Sequence, residues 1–295
     1  MTASHDGFAI VTPTYPPDLE RCRLLVESLG HCAPTVPHYL IVDRRDARCF
    51  RPLTSARTIL IESETILEPW LRRIPTRHGY WFNFKGFPVR GWMLQQMLKI
   101  GIANVVSEPI LVFCDSDVAF IRPFDRDAIM QDGKVGLLDL DFADDRTRRW
   151  SAVSCALLGL DPARVALRAH VGNMICWRRD LMLALQKHIE GVSGSSWQQT
   201  IARLRTVSEY ALYGSFVRNV IGYENSGHAP SDRPLIKPSW GTDIAAPGAL
   251  DAFFAGFAAS EIGIMAHSKD AVDLPRLRAL LEREWAHAPI TAKTP

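Results

Sequence analysis

The chain has no C-x-x-C pair, no basic leader running into an apolar stretch and almost no net charge. Nor does any apolar run approach the roughly 20 residues of a membrane-spanning helix. Each absence removes a class. The six cysteines, Cys22, Cys32, Cys49, Cys114, Cys155 and Cys176, are scattered, several of them inside apolar runs such as Val112-Phe113-Cys114. Buried thiols are therefore expected, and a zinc site is not. A net charge of +2 over 295 residues supplies no basic field for nucleic acid. Met1–Gly7 is polar and unlike a signal peptide, so a cytoplasmic protein is expected, compatible with a peripheral membrane contact. What is present is an ordinary globular balance, 47% hydrophobic and 22% charged residues, long enough to bury a sizeable core without disulfides.

The first half alternates apolar strands with amphipathic helices. Strands are expected at Phe8–Thr12, His38–Val42, Thr58–Ile61 and Pro109–Cys114, and helices at Leu19–Leu29, with Asp18 as N-cap, and at Gly91–Val106. This alternation predicts an α/β fold with a mostly parallel central sheet, whose ligands bind at the carboxyl ends of strands. Thr12, Asp43 and Asp115 stand at such ends. The second half is less regular, with strands expected at 135–138 and 171–176 and helices at 181–189 and 209–220. The stretch 224–248, rich in Pro, Gly, Ser and Asn, reads as an irregular loop. A single domain is expected over 1–295, with a ligand-binding half at 1–125 and a second half at 126–295.

The sharpest feature is Phe113-Cys-Asp-Ser-Asp-Val118, an apolar strand running into Asp-X-Asp. Two carboxylates two residues apart at a strand end can project into one crevice, and hard oxygen ligands suit Mg²⁺ or Mn²⁺ bridging to a diphosphate. Asp115 and Asp117 are therefore the candidate metal ligands. A rival, Leu138-Asp-Leu-Asp141, has the alternation of a strand with both Asp on a solvated face. On the Gly91 helix, Trp92, Gln95, Gln96 and Lys99 fall on one stripe. That stripe is either a solvated face or a set of donors for phosphate and sugar oxygens. Glu209 follows Thr206 by three residues, as in a capping box, or it serves as a base at a crevice entrance. After the apolar segment Ile262–Ala266, His267 is a candidate third metal ligand and Lys269 a candidate partner of the diphosphate.

Thr12-Pro-Thr-Tyr15, the Gly91-Trp-Met-Leu-Gln-Gln-Met-Leu-Lys99 helix, Asp115-Ser-Asp117 and Ser208-Glu-Tyr-Ala-Leu-Tyr-Gly214 together resemble a bacterial glycosyltransferase-like family. It belongs to surface polysaccharide gene sets and has the nucleotide-diphospho-sugar transferase (GT-A) fold. The resemblance runs from about Phe8 to Lys269. It implies metal-dependent transfer of a sugar from a nucleotide-sugar to the hydroxyl of a glycan or glycolipid acceptor, with the metal neutralising the leaving diphosphate. Thr12 to Tyr15, and Asp43, would hold the base or ribose. Gln95, Gln96, Lys99 and Lys269 would serve the donor, Asp117 and Glu209 catalysis, and His170–Asn173 with Trp177 the acceptor.

Two other readings share parts of this pattern. A haloacid-dehalogenase-type phosphohydrolase also uses Asp-X-Asp with Mg²⁺, but on its first strand and followed by Gly-Thr, whereas Val118-Ala119 follow here. A non-catalytic sugar-nucleotide or glycan-binding module would keep the fold without turnover.

Overall fold

The computed structural model describes residues 7–74, 80–142, 144–240, 242–246, 248–267 and 270–287. Strand β1 (Phe8–Pro13) leads through the Leu19–Cys32 helix to β2 (His38–Val42) and then β3 (Thr58–Glu62). A small antiparallel sheet follows, made of β4 (Leu71–Arg73), β5 (Tyr80–Asn83) and β6 (Val89–Arg90). It runs directly into the Gly91–Gly101 helix and so to β7 (Ile110–Cys114) and β8 (Val118–Phe120). The second half holds β9 (Met130–Gln131), β10 (Lys134–Leu138), β11 (Met174–Arg178), β12 (His228–Ser231), β13 (Ile236–Pro238) and β14 (Gly263–Met265).

The central sheet has the order β11-β7-β1-β2-β3, parallel throughout except for β11 at one edge. Its strands are apolar without interruption because both faces are covered. Ala9, Val11, Leu111, Phe113, Ile175 and Trp177 face one core. Their alternating neighbours Phe8, Ile10, Ile110, Val112, Met174 and Cys176 face the other. That is the two-residue period of a strand read inside a doubly covered sheet. The Leu19–Cys32 helix packs on the second face, where Ser28 Oγ accepts the Phe120 backbone N–H at 3.0 Å. The expected α/β fold with a mostly parallel, helix-flanked sheet is what the chain forms.

Several local expectations are corrected. The stretch 224–248 is not wholly irregular, because β12 pairs in parallel with β10 and β13 with β14. Both strands are three or four residues long and carry Pro, too short to show a period. Asp139 is not on a solvated face. It lies just past β10, where a bridge from Leu140 to Ala169 replaces regular alternation, and it is buried while Asp141 remains outside. The Gly91 helix ends in a 3₁₀ turn at Ile102–Asn104, so Val105 is exposed rather than buried. All six cysteines are free, and five are buried, Cys49 being the exposed one.

Candidate functional site

β7 ends at Cys114, and Asp115-Ser-Asp117 turn the chain into β8, with the Val118 N–H on the Asp115 carbonyl. The Asp117 carbonyl accepts the Ala266 N–H at 3.0 Å, continuing the β8–β14 ladder by one step beyond Met265–Val118. His267 is thereby carried to the Asp-X-Asp turn although 150 residues separate it from Asp117. Its backbone N–H is held by Ser239 Oγ at 3.0 Å, and Asp270 stands 3.9 Å from its Nδ1.

A buried ion cluster lies behind the turn. Lys99 Nζ is 3.0 Å from Asp115 Oδ1 and 3.1 Å from Glu209 Oε1, and it donates to the Tyr210 hydroxyl at 2.8 Å. The Lys99 and Glu209 side chains are 3% and 2% exposed, whereas Asp115 is 43% exposed and faces the crevice. Burial opposes the charge on Lys99, but Asp115, Tyr210 and Glu209 more than offset it and hold its pKa well above the ordinary range. Glu209 is pushed the other way for a carboxylate. Burial raises its pKa, and Lys99 offsets this only in part.

These contacts revise several sequence expectations. Lys99 and Gln96 are interior groups, not a solvated or ligand-facing stripe. Gln96 Oε1 takes the Glu209 N–H at 3.4 Å, and its amide donates to the Trp92 carbonyl. Gln95 is half-buried on the same helix. Glu209 is not part of a capping box. The cap is Ser208, whose Oγ accepts the Ala211 N–H, and Glu209 is the first helical residue. Its carboxylate is buried and stands 3.1 Å from Lys99. Thr12 lies inside β1, fully buried with Oγ1 3.0 Å from His38 Nε2, so the side chain turns away from the crevice. Tyr15 is half-exposed at the rim. Asp43 ends β2, where Arg73 reaches both Asp43 (2.9 Å) and Asp46 (2.6 Å). Trp177 cannot stack on a sugar, because it is fully buried among Phe113, Tyr210 and Tyr213. His170 is buried too, its Nδ1–H donating to the Leu138 carbonyl. Lys269 lies outside the described residues.

Sequence reasoning missed Asp18. It occupies the N-cap position without a side-chain capping bond. Its carboxylate instead accepts the Ser116 hydroxyl at 3.2 Å, inside the Asp-X-Asp turn. Burial raises the Asp18 pKa, Ser116 and Arg21 oppose the rise, and Asp115 adds to it. The turn thus gathers Asp18 and Asp115 beside Arg21, with Lys99 and Glu209 behind it. Among the described residues no three His, Cys, Asp or Glu side chains already converge as a metal cluster. What the fold supplies is backbone placement, with Ala266, one residue before His267, hydrogen-bonded to Asp117.

A cleft of about 280 Å³ is walled by Leu138, Leu140, Val171–Cys176 and Leu235–Ile236, with Trp240 and Arg233 among its lining residues and none from the Asp-X-Asp turn. Two of its lining residues are neighbours of that region, since Met174 pairs with Cys114 and Trp240 follows the Ser239 that holds the His267 N–H.

Among curated proteins no sequence matches. Among solved structures, apo WbbM, a bifunctional glycosyltransferase, superposes with a TM-score of 0.50 at 10% identity, over 96% of this chain and 50% of that one. The galactosyltransferase LgtC with donor and acceptor sugar analogs gives 0.48 at 9% identity, over 97% and 98% of the two chains. Mouse xyloside xylosyltransferase 1, apo form, gives 0.46 at 9%, over 90% and 99%. The fold therefore resembles that of the WbbM glycosyltransferase. Residues 9–229 match the model of the DUF6492 family, a family of unknown function. With most of its length inside that match, the chain belongs to the DUF6492 family.

Proposed function

We propose that the protein is a glycosyltransferase that moves a sugar from a nucleotide-sugar to an acceptor hydroxyl at the Asp115-Ser-Asp117 turn. The observation that carries this reading is the placement of that turn at one strand end. The half-exposed Asp115 carboxylate and Asp117 stand at the end of β7, where α/β sheets bind ligands, and the ladder brings the backbone next to His267 alongside Asp117. Oxygen donors with one imidazole fit Mn²⁺ or Mg²⁺, so Asp115, Asp117 and His267 are the residues proposed to hold the ion. When bound, such an ion stabilises the charge of a departing diphosphate.

The chain's own residues then divide the work. Lys99 fixes Asp115 Oδ1 from behind, so the carboxylate is oriented before a ligand arrives. Glu209 and Tyr210 hold Lys99, acting as positioning residues rather than touching substrate. Tyr15 at the rim is placed to meet the nucleoside, and Val171–Asn173 with Trp240 wall the acceptor side. In the reaction the bond from the sugar's anomeric carbon to the diphosphate oxygen breaks, one to the acceptor oxygen forms, and the acceptor's hydroxyl proton passes to the departing diphosphate. The motif resemblance supports a role in bacterial surface glycan assembly, with the reaction proposed to run in the cytoplasm.

The test is binding and slow hydrolysis of UDP-, GDP-, CMP- and dTDP-sugars with Mn²⁺. Metal-dependent binding and donor hydrolysis by the native chain, both lost in Asp117→Asn with the fold intact by circular dichroism, support the reading. Binding without turnover toward any acceptor points to a non-catalytic module, and phosphate release from simple phosphomonoesters to a hydrolase. Either result overturns it.

A further inference from the structure

The small β4–β5–β6 sheet has an outer face that nothing among the described residues covers. The pleat sends Trp81, Asn83 and Val89 inward and Phe82 outward, and Arg72 pairs with Phe82 across the ladder. Arg90, opposite Tyr80, is exposed as well. Just past β5, the buried Asn83 carboxamide oxygen takes the Lys85 N–H and the Asn83 carbonyl takes that of Gly86. The resulting turn thrusts Phe84 and Phe87 into solvent, 67% and 88% exposed, with the Phe82 and Phe84 rings edge-on at 4.7 Å. Trp92, on the first turn of the helix that follows, continues the aromatic surface by stacking on Trp150 at 6.5 Å.

The charge that residues 69–107 bring to this surface is all positive. Arg72, Lys85 and Arg90 are exposed on it, and the sequence has no Asp or Glu between Glu68 and Glu108. Large apolar rings exposed together need a partner. Aromatic rings interleaved with basic groups match the headgroup layer of a bilayer, where rings sit at the interface and cations meet anionic lipids. A two-fold pairing of this face with itself would set its basic groups against one another, which disfavours a second copy of the chain. We propose that the outer face of β4–β6, with Trp92, docks the protein on an anionic lipid surface. No helix among the described residues is long and apolar enough to cross a membrane, so this contact is peripheral. It does not depend on the transferase reading, although the same helix that begins at this face carries Lys99 to the site.

Sedimentation with vesicles of phosphatidylcholine, with and without phosphatidylglycerol, tests the proposal. The native chain should partition onto anionic vesicles, less so at high salt. The variant Phe84→Ser/Phe87→Ser should lose about tenfold or more of that partition. Arg72→Gln/Arg90→Gln should weaken binding on anionic vesicles alone and flatten the salt dependence. Both side-chain pairs are exposed, and circular dichroism should confirm that the folds are kept. Absence of native binding to anionic vesicles at low salt overturns the proposal. So does equal binding of native and Phe variants, or a native dimer that dissolves in the Phe variant.

Discussion

Two buried carboxylates, Glu209 and Asp139, stand in opposite surroundings. Asp139 is served by two cations, Arg168 at 2.7 Å on Oδ1 and Arg218 at 2.7 Å on Oδ2, and by the Tyr223 hydroxyl at 2.7 Å. Burial raises its pKa, but those partners outweigh burial and the net shift is downward. Glu209 shares one lysine with Asp115, and its net shift is upward. The Asp139 cluster is closed, since two arginines meet the one buried carboxylate and it accepts on both oxygens. The Lys99 cluster is short of positive charge and shows one carboxylate to a crevice. A closed cluster ties elements together, whereas an underbalanced one at a strand end is arranged to receive a cation.

The largest effect should come from breaking the underbalanced cluster at its centre. Lys99→Met leaves Glu209 buried without its cation, and losing one partner of a buried pair costs about 3–5 kcal/mol. Because the lone Glu209 is relieved by protonation, the variant's deficit should shrink as pH falls. Lys99→Met/Glu209→Gln should recover part of the loss. Chemical denaturation of the three variants checks this, and additive losses in the double variant would remove the pairing. Asp139→Asn should cost less, about 3 kcal/mol, because Arg168 and Arg218 are partly exposed and can turn to water. It should leave Mn²⁺–nucleotide affinity unchanged, which titration calorimetry can read.

A smaller, shared effect is expected from pH. His38 and His228 are buried neutral, with burial as the main cause lowering them to about 3 and about 4. The unfolded chain takes up these protons first, so their contribution is full above about pH 6.5 and is lost as pH falls through the folded values. Each removes up to about 1.4 kcal/mol per pH unit in that window. A melting temperature that does not fall between pH 6.5 and 4 would contradict the neutral burial of both.

The parallel sheet was legible because doubly covered strands are continuous apolar runs, and Phe8–Thr12, His38–Val42 and Pro109–Cys114 sit within a residue of the observed strands. The Asp115-Ser-Asp117 turn was legible for the same reason, being where such a run stops. Three-residue strands such as β13 leave no period to read. Burial was not legible for Gln96, Lys99 and Glu209. Polar residues on one helical stripe imply solvent unless a second polar element covers them, and here that element starts 108 residues after Gly101. Ser208–Gly214 shows the same limit. Tyr213 takes the Arg178 N–H and donates to His228 Nε2, because His228 Nδ1–H is committed to the Val135 carbonyl. At Gly214 an added Cβ would fall within 2.2 Å of the His170 ring. Each residue answers to a partner far away in the chain.

The finest discrimination between the two clusters comes from the same atom removed in each. Tyr223→Phe takes one donor from Asp139, which keeps both arginines. Tyr210→Phe takes from Lys99 the hydroxyl it meets at 2.8 Å, beneath a ring 4.5 Å from the ammonium. Each change should cost about 1.5–3 kcal/mol, the worth of one hydrogen bond to a charged group. Stability alone therefore does not separate them. Ligand affinity does. Without the Tyr210 hydroxyl, Lys99 is left to the two carboxylates and draws harder on Asp115, so Mn²⁺–nucleotide binding should weaken by a few-fold in Tyr210→Phe. In Tyr223→Phe it should stay unchanged, because the Asp139 cluster holds Arg168 and Arg218 and none of the residues around the Asp-X-Asp turn. Equal shifts in both variants would mean that the clusters are one network. No shift in either would mean that the Lys99 cluster is as closed as its counterpart.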